Sequence, residues 1–302
     1  MRKFVVIAGG LGNQLFQIVG ALSATDQVVH VVTCIGNPKL HEGKLEVSSL
    51  DFQGRVQFIK CEKRHYLAPL AFRAMLSLAT TKGEKSDQSS HPKALLLLSA
   101  AILSAHLRKL VYPRVSKGVG FDPKFSKNKG NLFIGYFQTH RISPAVGELI
   151  KNALDNLEKK QWKSSKKAPK VLIHVRLGDY KTEPTFGVLN STYFSSALEL
   201  LEKQGPIYGI SVFSDESKEA LKAVPSHYLD RITVEEFREE SPLMTLCRMR
   251  GYESYIISNS SFSWWAAFTS TPKNVFVPNP WFINRESPNQ LLPESWMKVA
   301  RS

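Results

Sequence analysis

Residues 3–17, KFVVIAGGLGNQLFQ, decide the fold. Residues 3–8 are a short apolar run rich in β-branched side chains, which is typical of a buried parallel strand. The glycines at 9–12 favour a tight loop, and the apolar residues after Asn13 follow at helical spacing. A second strand is predicted over 28–33. The order of strand, loop, helix and strand predicts an α/β fold with a parallel sheet.

The same alternation of strands and helices continues along the chain. Strands are predicted at 131–137, 171–175, 207–213, 232–234, 255–258 and 275–277, with helices at 144–159, 193–203, 216–223, 242–250 and 262–269. A basic run at 159–170 contains serine and proline, which is typical of a solvated linker. We therefore predict two α/β domains, over 1–160 and 165–302. Parallel sheets bind ligands at the carboxyl ends of their strands, so the cleft between the domains is the expected site.

The composition of the 302 residues excludes several classes of protein. Hydrophobic residues make up 43% of the chain, which is too many for a disordered protein. The three cysteines lie far apart, and an odd number does not suit a disulfide framework, so they fit buried thiols in a reducing compartment. The formal charge of +14 favours anionic partners: phosphates, nucleic acid or an acidic membrane surface.

No secretory signal or membrane span is expected. The apolar run at 4–8 is shorter than a signal sequence needs. The longest apolar stretch, residues 94–105, is too short to cross a bilayer and has basic flanks. It has two open interpretations, a buried helix or a helix lying on an anionic membrane face. The expected location is the cytoplasm.

Polar residues follow several of the predicted strands. At the first, Gly12 allows close approach of a ligand to the backbone, and Asn13 and Gln14 place two amides at the start of a helix. Asn13 can equally be an ordinary helix cap. After the strand at 207–213, Asp215 can accept two hydrogen bonds from a guanine edge or cap the next helix. The residues alone favour the cap.

Residues 174–180, HVRLGDY, begin inside the strand predicted at 171–175 and continue beyond its end. Strand alternation puts His174 and Arg176 on one side of the sheet and Leu177 on the other. Arginine suits phosphate because it donates two parallel hydrogen bonds. In the alternative interpretation, Asp179 caps the turn and pairs with Arg176.

Residues 258–267, SNSSFSWWAA, combine a strand end, a hydroxyl cluster and the start of a helix. Hydroxyls and free backbone N–H groups at a helix start can bind an anion. The alternative is a helix cap over a core helix. In either case Trp264 and Trp265 are expected in the core.

Together, GGLGNQLFQ, HVRLGDY, FSDE at 213–216 and SNSSFSWWAA resemble glycosyltransferase family 11, the α-1,2-fucosyltransferases, in its bacterial form. GYFQ at 135–138 is similar to the GYFQS segment of that family. The resemblance extends from residue 3 to about residue 280 and is weakest over 35–130. It implies the GT-B architecture, in which two Rossmann-like domains face a central cleft.

The resemblance implies inverting transfer of L-fucose from GDP-β-L-fucose to the 2-hydroxyl of a galactose in an oligosaccharide. It implies that Arg176 holds the β-phosphate, His174 seats the nucleotide and Asp215 reads the guanine edge. The pyrophosphate would be bound by Ser261, Phe262 and Ser263, and the acceptor side lined by Gly12, Asn13, Gln14 and Gln138. No two aspartates lie two positions apart and no His/Cys cluster has ligand spacing, so neither a metal nor another cofactor is expected.

Two features stay open at this level. The family usually has a second arginine where this chain has Leu177, so any contact of that arginine is lost and the donor's identity is unsettled. The general base is unassigned. Asp179 and Glu183 are the nearest carboxylates, and the alternative is that the leaving group departs early while Asn13 orients the hydroxyl.

Other functions compete with this one. One alternative is a GDP-sugar transferase with another acceptor or linkage. Another is a non-catalytic relative that binds GDP-fucose. Nucleic acid is disfavoured as a partner because the basic residues are dispersed and no nucleic-acid-binding motif is found. Bacterial enzymes of this type extend lipid-linked saccharides, so the positive charge and residues 94–105 also suggest peripheral contact with the inner face of the plasma membrane.

Overall fold

The computed structural model describes residues 2–33, 45–58, 113–127, 129–161, 171–236 and 240–301. The apolar stretch 94–105 and most of the basic run 159–170 lie outside these residues. The chain divides into two compact units, Met1–Ala153 with Pro288–Leu291 and Leu154–Ser287 with Leu292–Ser302.

The first unit is built on a parallel sheet. Its described elements are β1 (Lys3–Ile7), α1 (Leu11–Ser23), β2 (Val29–Thr33), β3 (Val56–Phe58), β4 (Pro113–Val115), α2 (Pro123–Lys127) and β5 (Leu132–Ile134). The strand order is β3-β2-β1-β5-β4, and every pairing is parallel. The order changes direction between β1 and β5, and this is the point where sheets of this kind bind ligands, at the carboxyl ends of the strands.

The position of β1 at the centre of the sheet explains the apolar run that opens the chain. Val5, Val6 and Ile7 are all fully buried. A strand covered on both faces needs a continuous run of apolar residues rather than an alternating pattern. The predicted strand, loop and helix are thus observed, although α1 begins at Leu11, two residues before Asn13.

Close packing around Phe137 holds the segment after β5 against α1. Phe137 has a φ of +52°, a backbone conformation that residues other than glycine rarely adopt. Its buried ring lies against Phe125, with ring centroids 5.0 Å apart. A Cβ atom on Gly20 of α1 would lie 2.4 Å from Cγ of Phe137. Gly20 therefore provides the space for this ring, and the ring holds the strained backbone immediately before Gln138.

The second unit is built on a six-stranded sheet. The boundary between the units falls inside α3 (Pro144–Gln161). The elements that follow are β6 (Val171–Val175), α4 (Ser191–Glu202), β7 (Ile210–Ser214), α5 (Ser217–Ala220), β8 (Ile232–Glu235), α6 (Pro242–Met249), β9 (Ser254–Ile257), α7 (Ser261–Thr269), β10 (Asn274–Asn279) and β11 (Met297–Ala300). The strand order is β11-β10-β9-β6-β7-β8, with parallel pairings throughout.

This order is the doubly wound arrangement of dinucleotide-binding folds, because the first strand of the unit lies at the centre and the chain winds outward on both sides. The direction of winding changes between β6 and β9. The predicted α/β class with two parallel sheets is confirmed, and so is the burial of Trp264 and Trp265. Strands β3, β4 and β11 were not predicted.

Candidate functional site

Ser258 connects the two strands at which the second sheet changes direction. Its hydroxyl accepts a hydrogen bond from the backbone N–H of Arg176 at 3.1 Å. The same hydroxyl donates to the carbonyl of His174 at 2.8 Å. The carboxyl ends of β6 and β9 are thereby held together. Arg176 follows β6 directly, so it lies at the edge of the sheet where folds of this kind bind ligands.

The guanidinium of Arg176 lies between two carboxylates. Its Nε and Nη2 atoms donate to Oδ1 of Asp179, at 3.1 and 2.7 Å. Its Nη1 atom pairs with Oδ2 of Asp215 at 3.1 Å. The pairing of Arg176 with Asp179, left as an alternative by the sequence, is observed. The Arg176 side chain keeps 34% of its surface exposed and remains accessible to a ligand.

Asp215 supports this arginine and does not cap a helix. Its Oδ1 atom accepts the backbone N–H of Leu177 at 3.0 Å, while Oδ2 pairs with Arg176. The cap of α5 is Glu216, so the prediction that Asp215 caps the next helix is wrong. The physical reason is that the neighbouring strand end offers the carboxylate both an N–H and a cation, which together bind it more strongly than a helix start. Gly178 leaves room for this contact, since a Cβ atom there would lie 2.4 Å from Oδ2.

Leu177 faces the hydrophobic core, as strand alternation predicts. Its side chain is 6% exposed and belongs to the same buried cluster as Val175 and Leu189. The leucine that replaces the family's second arginine therefore does not compete with Arg176 for space at the edge of the sheet.

His174 supplies a neutral imidazole beside the arginine. The side chain is 3% exposed, and its ring centroid lies 6.3 Å from that of Phe262. Burial, and secondarily the charge of Arg176, lower the pKa of His174 to about 3, so the ring is neutral at physiological pH. Its Nδ1 atom is buried and has no hydrogen-bond partner within the described ranges. A buried nitrogen without a partner is costly, and a ligand group can satisfy it.

The start of α7 presents part of the predicted hydroxyl cluster. Ser260 caps the helix by accepting the N–H of Phe262 at 3.3 Å. Ser261 and Phe262 are partly exposed, whereas Ser263 is fully buried and its hydroxyl donates to the Ser260 carbonyl at 3.3 Å. The partly exposed first turn of α7 can bind an anion. The Ser263 hydroxyl, in contrast, is already hydrogen-bonded within the protein.

Tyr180 and Asn259 contact this site, although neither was among the predicted site residues. The hydroxyl of Tyr180 donates to the carbonyl of Asn259 at 3.0 Å, and burial raises the pKa of that hydroxyl. The guanidinium of Arg176 lies 5.7 Å from the centroid of the Tyr180 ring. The one signal in the sequence for Tyr180 is its position directly after HVRLGD. That signal is weak, because an aromatic residue at such a position is more often part of the core.

A separate polar group lies at the carboxyl ends of β1 and β5 in the first unit. The amide Nε2 of Gln138 donates to Oδ1 of Asn13 at 3.0 Å. The cap of α1 is Gly10, so Asn13 is not the helix cap. Gln14 is fully buried, and its amide donates to the carbonyl of Gly9 at 2.9 Å. Gly12 is buried in the first turn of α1. Of the predicted acceptor residues, the structure brings Asn13 and Gln138 into direct contact.

Neither a metal site nor a membrane-spanning helix is found in the described ranges. They contain no group of three His, Cys, Asp or Glu residues that could hold a metal ion. None of the helices in these ranges is both long enough and apolar enough to cross a membrane.

The doubly wound sheet, with an arginine and a neutral histidine where its winding reverses, is typical of proteins that bind a nucleotide or a similar anion. The family model described as Glycosyl transferase family 11 matches residues 4–298. The chain therefore belongs to glycosyl transferase family 11, and the protein is a glycosyltransferase.

Two curated relatives and one solved structure illustrate the similarity. The O-antigen biosynthesis glycosyltransferase WbnK of Escherichia coli is 26% identical, over 97% of this chain and 99% of its own length. The alpha-1,2-colitosyltransferase of Escherichia coli is 26% identical over 57% of this chain and 64% of its own length. The structure of fucosyltransferase NodZ from Bradyrhizobium has a TM-score of 0.44 and 13% identity, covering 88% of this chain and 92% of that one.

Proposed function

We propose that this glycosyltransferase transfers L-fucose, with inversion, from GDP-β-L-fucose to the 2-hydroxyl of a galactose in an oligosaccharide. The observation that carries the donor assignment is Arg176, which lies beside a neutral, buried His174 where the winding of the second sheet reverses. Membership of family 11 supports a sugar transfer. The similarity to WbnK over nearly the whole chain supports an acceptor of the O-antigen kind.

Charge stabilisation of the departing GDP is the main contribution of the second unit to this reaction. Negative charge develops on the β-phosphate as the bond to the sugar breaks, and Arg176 and the N-terminus of α7 oppose it. Arg176 is bound to two carboxylates, those of Asp179 and Asp215. Asp215 is also held by the Leu177 N–H, whereas Asp179 is 60% exposed. The phosphate therefore displaces Asp179 and leaves Asp215 in place behind the arginine.

The acceptor hydroxyl attacks the anomeric carbon from the side opposite GDP and must lose its proton. Asp179, once displaced from Arg176, is one candidate for the base. Glu183, whose Oε1 atom accepts the Thr185 N–H at 3.2 Å, is the other. In the alternative, the leaving group departs early and Asn13, fixed by Gln138, orients the hydroxyl. In each case a bond forms between the acceptor oxygen and the anomeric carbon, and the bond from that carbon to GDP breaks with its electron pair on GDP. The hydroxyl proton passes to the carboxylate or, in the alternative, to the departing phosphate.

A second donor is favoured by one comparison. The relative described as an alpha-1,2-colitosyltransferase uses a different sugar, and colitose differs from L-fucose in lacking the 3-hydroxyl. Leu177 stands where the family usually has an arginine, so any contact of that arginine with the donor is missing from this chain. The sugar is therefore tested separately from the nucleotide.

The nucleotide assignment is tested by calorimetric titration with GDP, GDP-fucose, GDP-mannose and UDP-galactose in the presence of EDTA. We expect GDP and GDP-fucose to bind selectively and without a metal. Incubation of GDP-fucose and GDP-colitose with galactosides then identifies the sugar, and NMR of the product gives the linkage. Absence of binding by every guanine nucleotide would overturn the proposal. Binding of GDP-fucose without transfer to any acceptor would identify a non-catalytic relative.

We also propose a cytoplasmic location with peripheral contact at an anionic membrane surface. The formal charge of +14 supports this, because basic proteins are attracted to anionic lipid. We expect the protein to float with vesicles that contain phosphatidylglycerol and not with neutral ones. Equal recovery with both kinds of vesicle would contradict it.

A further inference from the structure

Arg301, close to the carboxyl end of the chain, binds two loops of the second unit at once. Its Nη2 atom donates to the carbonyls of Phe186 and Gly187, at 2.6 and 2.9 Å. Its Nη1 atom donates to the carbonyls of Trp281 and Pro280, at 3.0 and 3.4 Å. No carboxylate of the described residues pairs with it. The guanidinium is thus satisfied by backbone carbonyls alone, and their positions depend on it.

Phe186 connects this arginine to the donor site. Its carbonyl also accepts the side-chain amide of Asn259 at 3.0 Å, so Arg301 and Asn259 share one acceptor. Its ring stacks on Tyr180 with centroids 4.7 Å apart, and the centroid of the Phe282 ring lies 5.9 Å away. Both the backbone and the side chain of Phe186 are therefore fixed.

The contacts continue from Phe186 to the guanidinium that binds the donor. The Tyr180 hydroxyl donates to the Asn259 carbonyl, and the Tyr180 ring lies below the guanidinium of Arg176. Ser258, next to Asn259 in the chain, accepts the Arg176 N–H. Movement of Phe186 would therefore shift the Tyr180 ring below Arg176 and the Asn259 backbone next to Ser258.

We propose that Arg301 is a positioning residue for the sugar-nucleotide donor. By holding the Phe186 carbonyl it keeps Tyr180 and Asn259 in place, and through them it keeps Arg176 oriented toward the diphosphate. This inference rests on the proposed function for the identity of the ligand, but the coupling of Arg301 to Arg176 can be measured without any nucleotide.

Gly187 explains why loss of Arg301 should act locally. Its φ is +61°, and a Cβ atom there would meet Ile283 at 2.1 Å and Arg301 at 3.2 Å. The loop is thus a tight turn that is held from one side by the arginine. The pairing of β11 with β10 runs from Met297 to Ala300 and does not include Arg301, so the sheet keeps its backbone hydrogen bonds when the side chain is removed.

The experiment compares the full-length Arg301→Ala and Arg301→Lys variants with Arg231→Ala. Arg231 is a suitable control because its guanidinium also donates to a backbone carbonyl, that of Ile207, and has no contact with the Phe186 loop. For Arg301→Ala we expect GDP affinity to fall and the KM for the donor to rise about tenfold, with the KM for the acceptor unchanged. Guanidinium ion at low millimolar concentration should restore part of the loss, and Arg301→Lys should be intermediate.

Hydrogen exchange of the ligand-free protein separates this inference from the proposed function. We expect faster exchange over residues 177–187 in Arg301→Ala and no change there in Arg231→Ala. Unchanged exchange over these residues would overturn the positioning role, whatever the nucleotide data show. A uniform loss of thermal stability without rescue by guanidinium would also overturn it. If exchange rises as expected but the wild type binds no guanine nucleotide, the donor assignment fails and the coupling of Arg301 to Arg176 stands.

Discussion

Replacing Arg176 with alanine should abolish measurable GDP binding and lower kcat/KM by about 10²–10³. The side chain is the only arginine that the described structure brings to the reversal point of the second sheet, and it opposes the charge that develops on the leaving phosphate. Arg176→Lys should recover little, because an ammonium cannot pair with Asp215 and donate in parallel to a phosphate in the fixed geometry of a guanidinium. Titration calorimetry with GDP and initial rates with GDP-fucose measure both effects.

Arg248 provides the matched control for this variant. It also lies between two carboxylates, those of Glu235 and Glu240, but not at the reversal point. Arg248→Ala should lower stability and leave the GDP dissociation constant unchanged. Asp179→Asn removes a carboxylate that competes with the phosphate for Arg176, so GDP should bind as well as before or more tightly. Wild-type affinity for GDP in Arg176→Ala, or weaker binding in Asp179→Asn, would show that the phosphate is bound elsewhere.

Adding a single methyl group at Gly178 should weaken GDP binding about tenfold or more. The new Cβ atom would lie 2.4 Å from Oδ2 of Asp215, far inside van der Waals contact. The carboxylate of Asp215 would have to move, and the atom that meets the new Cβ is the one that pairs with Arg176. Arg176 would then lose the carboxylate that keeps it in place while Asp179 is displaced. The measurement is GDP affinity together with the thermal midpoint of unfolding.

Gly147→Ala in α3 is the control for Gly178→Ala. A Cβ atom at Gly147 meets nothing within 4 Å, and alanine favours a helix, so we expect unchanged affinity and equal or higher stability. If Gly178→Ala binds GDP like the wild type, Asp215 does not support the arginine and the proposed order of displacement is wrong.

The central strands of each sheet could be predicted from the sequence, whereas three of the four edge strands, β3, β4 and β11, could not. Strands β1, β6 and β9 are covered on both faces, so each leaves a continuous apolar run. Strands β3 and β4 have only three residues each, and β3 is only partly buried, so neither produces such a run. Their positions are set by pairing with neighbours that are distant in the chain.

The candidate site was predictable in its residue types and not in its contacts. Polar residues at the carboxyl ends of buried strands indicated Arg176, His174 and Asp215, because such residues meet at one edge of a parallel sheet. The partners of Asp215 depend on which strand lies beside β7, and a single sequence does not contain that order. Arg301 could not be found for the same reason, since 115 positions separate it from Phe186.

The burial of His174 also makes the second unit sensitive to acid. Its pKa is about 3 in the folded chain, against 6.5 for an ordinary histidine. As the pH falls below about 6.5, the unfolded chain takes up a proton at this residue and the folded chain does not, so protons favour unfolding. This loss of folding stability is absent above that pH and grows as the pH falls toward 3. The burial that leaves Nδ1 free for a ligand therefore also couples unfolding of this unit to proton uptake.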